Sequence, residues 1–80
     1  MKSFIDSQEA LLWLMTNRFD GQLLDKDRNR FYHGKSNTIM IEYYDHNDEG
    51  LLEINDIDTI SYEDFVKDYD GVELFVTKNI

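Results

Sequence analysis

Between Glu42 and Glu73 the chain carries twelve carboxylates and one base, Lys67, a net of −11. The same window holds Tyr43, Tyr44, Leu51, Leu52, Ile54, Ile57, Ile60, Tyr62, Phe65, Val66 and Tyr69. This interleaving limits the possible folds. The carboxylates must stay in water and the apolar side chains must leave it, so the window has to be built from two-sided elements. Holding so many like charges on one surface costs self-repulsion, which a positively charged partner would relieve.

The rest of the chain is nearly neutral. Residues 1–41 carry five acids and six bases, so almost all of the formal −9 sits in the one window. With 41% hydrophobic and 14% aromatic residues, the 80-residue chain is too apolar for an acidic disordered tail and has material for one core. We read residues 1–80 as a single domain. There is no cysteine, which excludes a disulfide framework and a thiolate metal site. The opening MKSFID lacks a secretory apolar run, and the longest apolar run, Leu11–Met15, is too short to span a bilayer. The cytoplasm is therefore the expected compartment. Direct contact with nucleic acid or an anionic membrane is not expected, since both would repel the window.

The periodicities set out an element order. Ser3 to Phe19 reads as a helix, with capping-box spacing at Ser3/Asp6 and Asp6/Glu9 and an apolar stripe through Leu11, Met15 and Phe19. Gly21 is placed to end it in a left-handed C-cap. Gln22–Asp25 and Arg30–His33 read as a hairpin around Lys26–Asn29, and Gly34–Asn37 as a second turn. Thr38–Asp45 is the clearest strand, with Ile39, Ile41 and Tyr43 on one face and Met40, Glu42 and Tyr44 on the other. After the polar turn His46–Gly50, Leu51–Ile57 reads as a strand with Leu52 and Ile54 opposite Glu53 and Asn55. Ser61 caps a short helix bearing Tyr62, Phe65, Val66 and Tyr69, which Gly71 ends. Val72–Thr77 is the last strand.

The expected class is α+β: an antiparallel sheet of about four to five strands, with the N-terminal helix on one face and a short helix before the last strand. The order is α-β-β-β-β-α-β. In this arrangement Glu42, Glu53 and Glu73 share the outer sheet face near Tyr44 and Phe75. Neighbours along a strand would stand about 6.6 Å apart and neighbouring strands about 4.8 Å apart.

Motifs for chemistry are weak. Gly34-Lys35-Ser36 ends like a phosphate-binding loop, but Asn29 stands where the earlier glycine belongs and a strand follows instead of a helix. Asp45 to Asp56 approximates a calcium loop, yet Asp56 replaces the closing glutamate and a strand precedes it. His33 and His46 have no metal-ligand spacing, and Ser3, Ser7, Ser36 and Ser61 read as caps or turns. We expect no enzymatic activity, no cofactor and no metal. Lys26, Arg28, Arg30 and Lys35 form a basic cluster that balances Asp25 and Asp27 and blunts an edge strand. It also offers a route to homodimers, with one copy's basic hairpin against another's acidic side.

The stretches EALLWL (9–14), FDGQLLDKD (19–27) and ISYEDFVKDYDGVELFV (60–76), with the aromatic strand and hairpin between them, resemble the small proteins encoded by bacteriophages. The resemblance is in layout and charge and implies a helix, a meandering sheet and a short helix before the last strand. One phage group it brings in is the acidic anti-CRISPR and anti-restriction inhibitors, some of which occupy nucleic-acid sites on host nucleases. Another sequesters cyclic nucleotide signals through a basic-aromatic signature that this chain lacks. Acidic immunity proteins against nuclease toxins, and phage inhibitors of transcription factors or polymerases, share the size and charge.

The expected function is non-enzymatic inhibition. The acidic surface would dock on the basic nucleic-acid groove of a host nuclease or ribonucleoprotein, with carboxylates standing where phosphates would. The residues expected to carry this are Glu42, Tyr44, Asp45, Asp48, Glu49, Glu53, Asp56, Asp58, Glu63, Asp64 and Asp68. The alternatives are an oligomeric nucleotide sponge, an immunity protein, and a virion or replication accessory protein.

Overall fold

A computed structural model describes residues 2–78. The ends of the expected 1–80 domain, Met1, Asn79 and Ile80, lie outside the described residues. The elements are β1 (Ser3–Phe4), α1 (Ser7–Thr16), β2 (Gln22–Asp25), β3 (Arg30–Gly34), β4 (Thr38–His46), β5 (Leu52–Ser61), α2 (Tyr62–Asp68) and β6 (Leu74–Lys78). The six strands form one antiparallel sheet in the order β1-β6-β2-β3-β4-β5. The α+β class and the position of both helices follow the expectation from sequence.

The first helix is shorter than its periodicity suggested. Asp6, not Ser3, is the N-cap; its carboxylate accepts from the Gln8 and Glu9 amides at 2.8 and 3.3 Å. Ser3 and Phe4 instead pair with Phe75 and Leu74, filling the edge of β6 and adding a sixth strand. At the other end Asn17 is the C-cap, and its amide donates to the Trp13 carbonyl at 3.0 Å. Gly21 is not a left-handed cap; among the described glycines only Gly50 and Gly71 have positive φ. Its role is space, since a Cβ there would fall 2.6 Å from the Asn17 Cβ. The buried stripe of α1 is Ser7, Ala10 and Leu14, while Met15 is 41% exposed and Phe19 is 99% exposed.

Both helices cover the same sheet face. Leu14 of α1, Phe65 of α2 and Tyr69 at the C-cap of α2 pack with Leu23, Tyr32, Ile39, Ile41 and Leu74 of the sheet. Burying a side chain of this size stabilises the fold by about 1.5–3 kcal/mol. Tyr32 lies at the centre, its ring edge-on to Phe65 and Tyr69 at 6.0 and 5.0 Å. The Ser7 hydroxyl donates to the Val66 carbonyl at 2.6 Å and ties the start of α1 to α2. At Gly34 the helix and sheet layers touch through backbone: a Cβ there would fall 2.2 Å from the Leu14 carbonyl oxygen.

Register decides what the other face shows. Tyr32 opposes Ile41 and Ile41 opposes Asp58; Tyr43 opposes Asp56. These residues share the helix side. The register then shifts between Tyr43 and Tyr44, so Tyr44 opposes Ile54, Asp45 opposes Glu53 and His46 opposes Leu52. Asn55 is the extra residue of a β-bulge. The bulge accounts for the broken alternation in Leu52-Glu53-Ile54-Asn55-Asp56-Ile57-Asp58. It keeps Leu52, Ile54 and Ile57 on the outer face, and Glu53, Asp56 and Asp58 on the helix side. The strand also continues to Ser61, four residues beyond the expected end at Ile57.

Candidate functional site

The acidic surface is built on the far edge of the sheet. Among the described residues strand β5 pairs only with β4, and the β4–β5 hairpin closes through a turn at residues 47–51. In that turn the Asn47 side-chain oxygen accepts from the Glu49 and Leu51 amides at 2.9 and 3.0 Å. Gly50 supplies a φ of 78°, which suits its missing Cβ. Asp48 and Glu49 are left at the tip, both exposed. Strand β5 then runs directly into α2, where the Ser61 hydroxyl accepts from the Asp64 amide at 3.1 Å, as the sequence predicts. The exposed side of α2 carries Glu63, Asp64 and Asp68. Topology thus brings Asp45, Asp48, Glu49, Glu53, Asp56, Asp58, Glu63 and Asp64 onto one hairpin, one edge and the helix start that follows. Asp68 stands one turn further along α2.

Nine of the ten expected carboxylates are exposed and are not salt-bridged among the described residues. Asp45, Asp56 and Asp58 accept only the amide of the next residue, at 2.8–2.9 Å. Glu42 differs. It lies on the outer face, and its Oε1 lies 2.5 Å from His33 Nε2, within hydrogen-bond distance. Its charge is turned toward a neighbour instead of solvent. Tyr44 is half-buried with its ring stacked on Phe31 at 4.6 Å.

The expected grid of Glu42, Glu53 and Glu73 on one face does not form. The bulge at Asn55 carries Glu53 to the helix side, opposite Asp45. Sequence reasoning also missed the exposed apolar residues of the same edge. Leu52, Ile54 and Ile57 are 49%, 41% and 56% exposed. The slip in alternation at Asn55-Asp56 was the signal that could have found them.

The basic cluster does not protect an edge, because β2 and β3 are interior strands. Instead two of its members, Arg28 and Arg30, serve a network around buried Asp25 on the helix side. Asp25, 1% exposed, accepts through Oδ1 from the Asp27 and Arg28 amides at 3.1 and 3.2 Å, and the Arg28 guanidinium lies 3.8 Å from its Oδ2. Arg30 donates to the Tyr69 hydroxyl at 2.9 Å and lies over the Tyr43 ring at 4.7 Å. Burial works against the Arg30 charge, but the Tyr69 hydrogen bond and the nearby Tyr69, Tyr32 and Tyr43 phenols outweigh it and raise its pKa. Burial also pushes the Tyr32 phenol far above its ordinary value. The Tyr69 hydroxyl beside it adds to this without completing a hydrogen bond.

The motif-like stretches resolve into turns. The Lys35 amide donates to the Thr38 carbonyl at 2.9 Å, closing the Gly34–Asn37 turn, and the Tyr62 hydroxyl donates to the Lys35 carbonyl. Asp45 and Asp56, the ends of the calcium-loop-like stretch, lie on opposite strands, and Asp56 pairs with Tyr43. Among the described residues no group of three or more His, Asp or Glu side chains is arranged to hold a metal ion. No described helix is long and apolar enough to cross a membrane.

Comparison of the chain with protein-family models, curated proteins and solved structures finds no match.

Proposed function

We propose that this protein is a non-enzymatic inhibitor. It would set its β4–β5 hairpin and the β5–α2 edge on the basic nucleic-acid-binding surface of a host defence nuclease, in the cytoplasm of the host cell. The observation that carries this reading is the row of exposed carboxylates, not paired with Lys, Arg or His among the described residues, on one contiguous stretch of chain. Such a row carries the sign of a phosphate backbone and would steer association with a basic groove in a way that weakens with salt. The partner-facing residues are Asp45, Asp48, Glu49, Glu53, Asp56, Asp58, Glu63, Asp64 and Asp68. The nuclease class of target comes from the resemblance to small phage inhibitors; the surface supplies only the charge argument.

The test is capture of basic nucleic-acid-binding proteins from a bacterial lysate by tagged protein, followed by competition with DNA or RNA on the captured target. A triple variant, Glu53→Lys, Asp56→Lys and Asp58→Lys, is run alongside with its circular dichroism spectrum. Loss of capture with an unchanged spectrum supports the reading; capture at undiminished affinity rejects it.

A second reading has one observation in its favour. A cleft of about 200 Å³ between the end of α1 and the Gly34–Asn37 turn is lined by Arg18, Phe19, Gly34, Lys35 and Ser36, two cations and no acid. It suits a nucleotide sponge better than the acidic surface does. Mass spectrometry for nucleotide co-purified with the protein, with a sizing column, separates the two.

A further inference from the structure

We propose that β5 accepts an extended basic segment of the partner as a seventh strand of the sheet. This rests on the docking reading above and adds its binding mode. Strand β5 is ten residues long and, among the described residues, pairs with β4 on one side and with no strand on the other. At about 3.3 Å per residue, its open edge runs roughly 33 Å. Of its outward amides, those of Ile57 and Thr59 donate to the Asp56 and Asp58 carboxylates, which an incoming strand has to displace, its cations drawing those carboxylates away. The opposite edge of the sheet, β1, has two residues and offers almost nothing.

The side chains specify the incoming strand. On the outer face β5 exposes Leu52, Ile54 and Ile57; on the helix side it exposes Glu53, Asp56 and Asp58. The bulge at Asn55 holds these two rows in phase. A strand laid beside β5 places alternate residues next to each row. Its complement therefore alternates apolar residues with Lys or Arg. No lysine or arginine of this chain occurs between Lys35 and Lys67, so β5 and its hairpin supply none of the positive charge that their carboxylates would take.

A second copy is the wrong occupant. Two β5 strands paired antiparallel would bring Glu53, Asp56 and Asp58 alongside the same three carboxylates, and neighbouring like charges destabilise a strand pair. Acids on an exposed edge guard against self-pairing. In this chain they leave the edge open to a cationic strand.

The experiment uses the full chain, labelled for NMR, and three ten-residue peptides. The first alternates lysine and valine. The second is the same peptide N-methylated at alternate residues, made in both phases. The third carries the same number of lysines among glycine and serine. Expected results are saturable binding of the first peptide at low salt and slower hydrogen exchange for amides within 52–61. At least one methylation phase should weaken binding about tenfold or more, as loss of several main-chain hydrogen bonds requires. The third peptide should bind weakly without changing exchange. Asp56→Lys with Asp58→Lys should reduce binding of the first peptide, checked on a sample of unchanged circular dichroism.

If every methylated form binds as tightly as the parent, or exchange in 52–61 is unaltered, strand addition is overturned while docking by charge stands. If the first peptide fails to bind although the lysate target is captured and lost on charge reversal, strand addition is likewise overturned. If the lysate capture fails but the first peptide binds with protection, the edge inference holds and the nuclease reading falls.

Discussion

Asp45 and Glu53 stand directly opposite each other across the β4–β5 hairpin, both exposed. Like charges in this position destabilise a strand pair by a few tenths to about 1 kcal/mol. Glu53→Lys should therefore stabilise the fold by about 0.5 kcal/mol in denaturant titrations. The gain should shrink in 0.5 M salt, where screening reaches a few ångströms. The same substitution should weaken partner binding. Stability and binding moving in opposite directions would identify the pair as retained for docking; both falling together would identify it as structural.

Two glycines separate close packing from backbone conformation. Gly34 is pressed against the Leu14 carbonyl, with 2.2 Å available to a Cβ, and that neighbour is backbone. Gly71 has φ +83° but open space for a Cβ. Gly71→Ala should cost about 1 kcal/mol, the strain of a left-handed alanine. Gly34→Ala should cost at least about 3 kcal/mol, because α1 must lift from the sheet. Thermal melts of the two variants read the difference directly; equal losses would mean that α1 and β3 pack more loosely than their geometry.

Tyr32 sets an alkaline limit. Its phenol is raised by burial first and by the neighbouring Tyr69 hydroxyl second, and no group stands in hydrogen-bond geometry to its oxygen. The unfolded chain gives up this proton near pH 10, but the fold keeps it, so the unfolded state binds fewer protons above that pH. The stabilisation is complete below about pH 10 and declines as pH rises, by up to about 1.4 kcal/mol per unit from this group. Tyr32→Phe should flatten that slope in denaturation curves measured between pH 9 and about 11. At pH 7 it should change stability by less than about 1 kcal/mol in either direction, since no hydrogen bond is lost. A loss of several kcal/mol would show that the hydroxyl is bonded.

The sequence carried the parts of the fold that depend on neighbours in the chain. Ser61 and Asp64 three residues apart announced α2, and the alternation through Ile39, Ile41 and Tyr43 announced β4 and its buried face. What depended on a distant partner was hidden. Ser3 and Phe4 have no strand periodicity of their own; they are a strand because β6 offers an edge. Glu42 looked like the other acids until β3 placed His33 beside it. For the acidic surface, charge and exposure were legible, because carboxylates without buried partners stay in water. Which face each one took was not, because that turns on the register shift at Asn55.

That shift makes the last prediction unusual for a deletion inside a strand. Removing one strand residue normally turns every following side chain to the other face. Asn55 is the exception, because it has no partner on β4: Asp56 pairs with Tyr43 and Ile54 with the adjacent Tyr44. Without Asn55, Ile54 and Asp56 become neighbours and every other pair can persist. The deletion should fold with a stability change of less than about 1 kcal/mol and keep the cross-strand proximity of Tyr44 and Ile54 in NMR spectra. Deleting Glu53 instead moves Leu52 opposite Asp45 and out of the outer apolar row, which should cost more and reduce binding of an alternating basic peptide. The edge without the bulge loses the extra twist that discourages strand addition, so it should bind that peptide at least as tightly as the parent chain. If Tyr44 and Ile54 instead move apart when Asn55 is deleted, the two rows of β5 are held in phase by something other than the bulge.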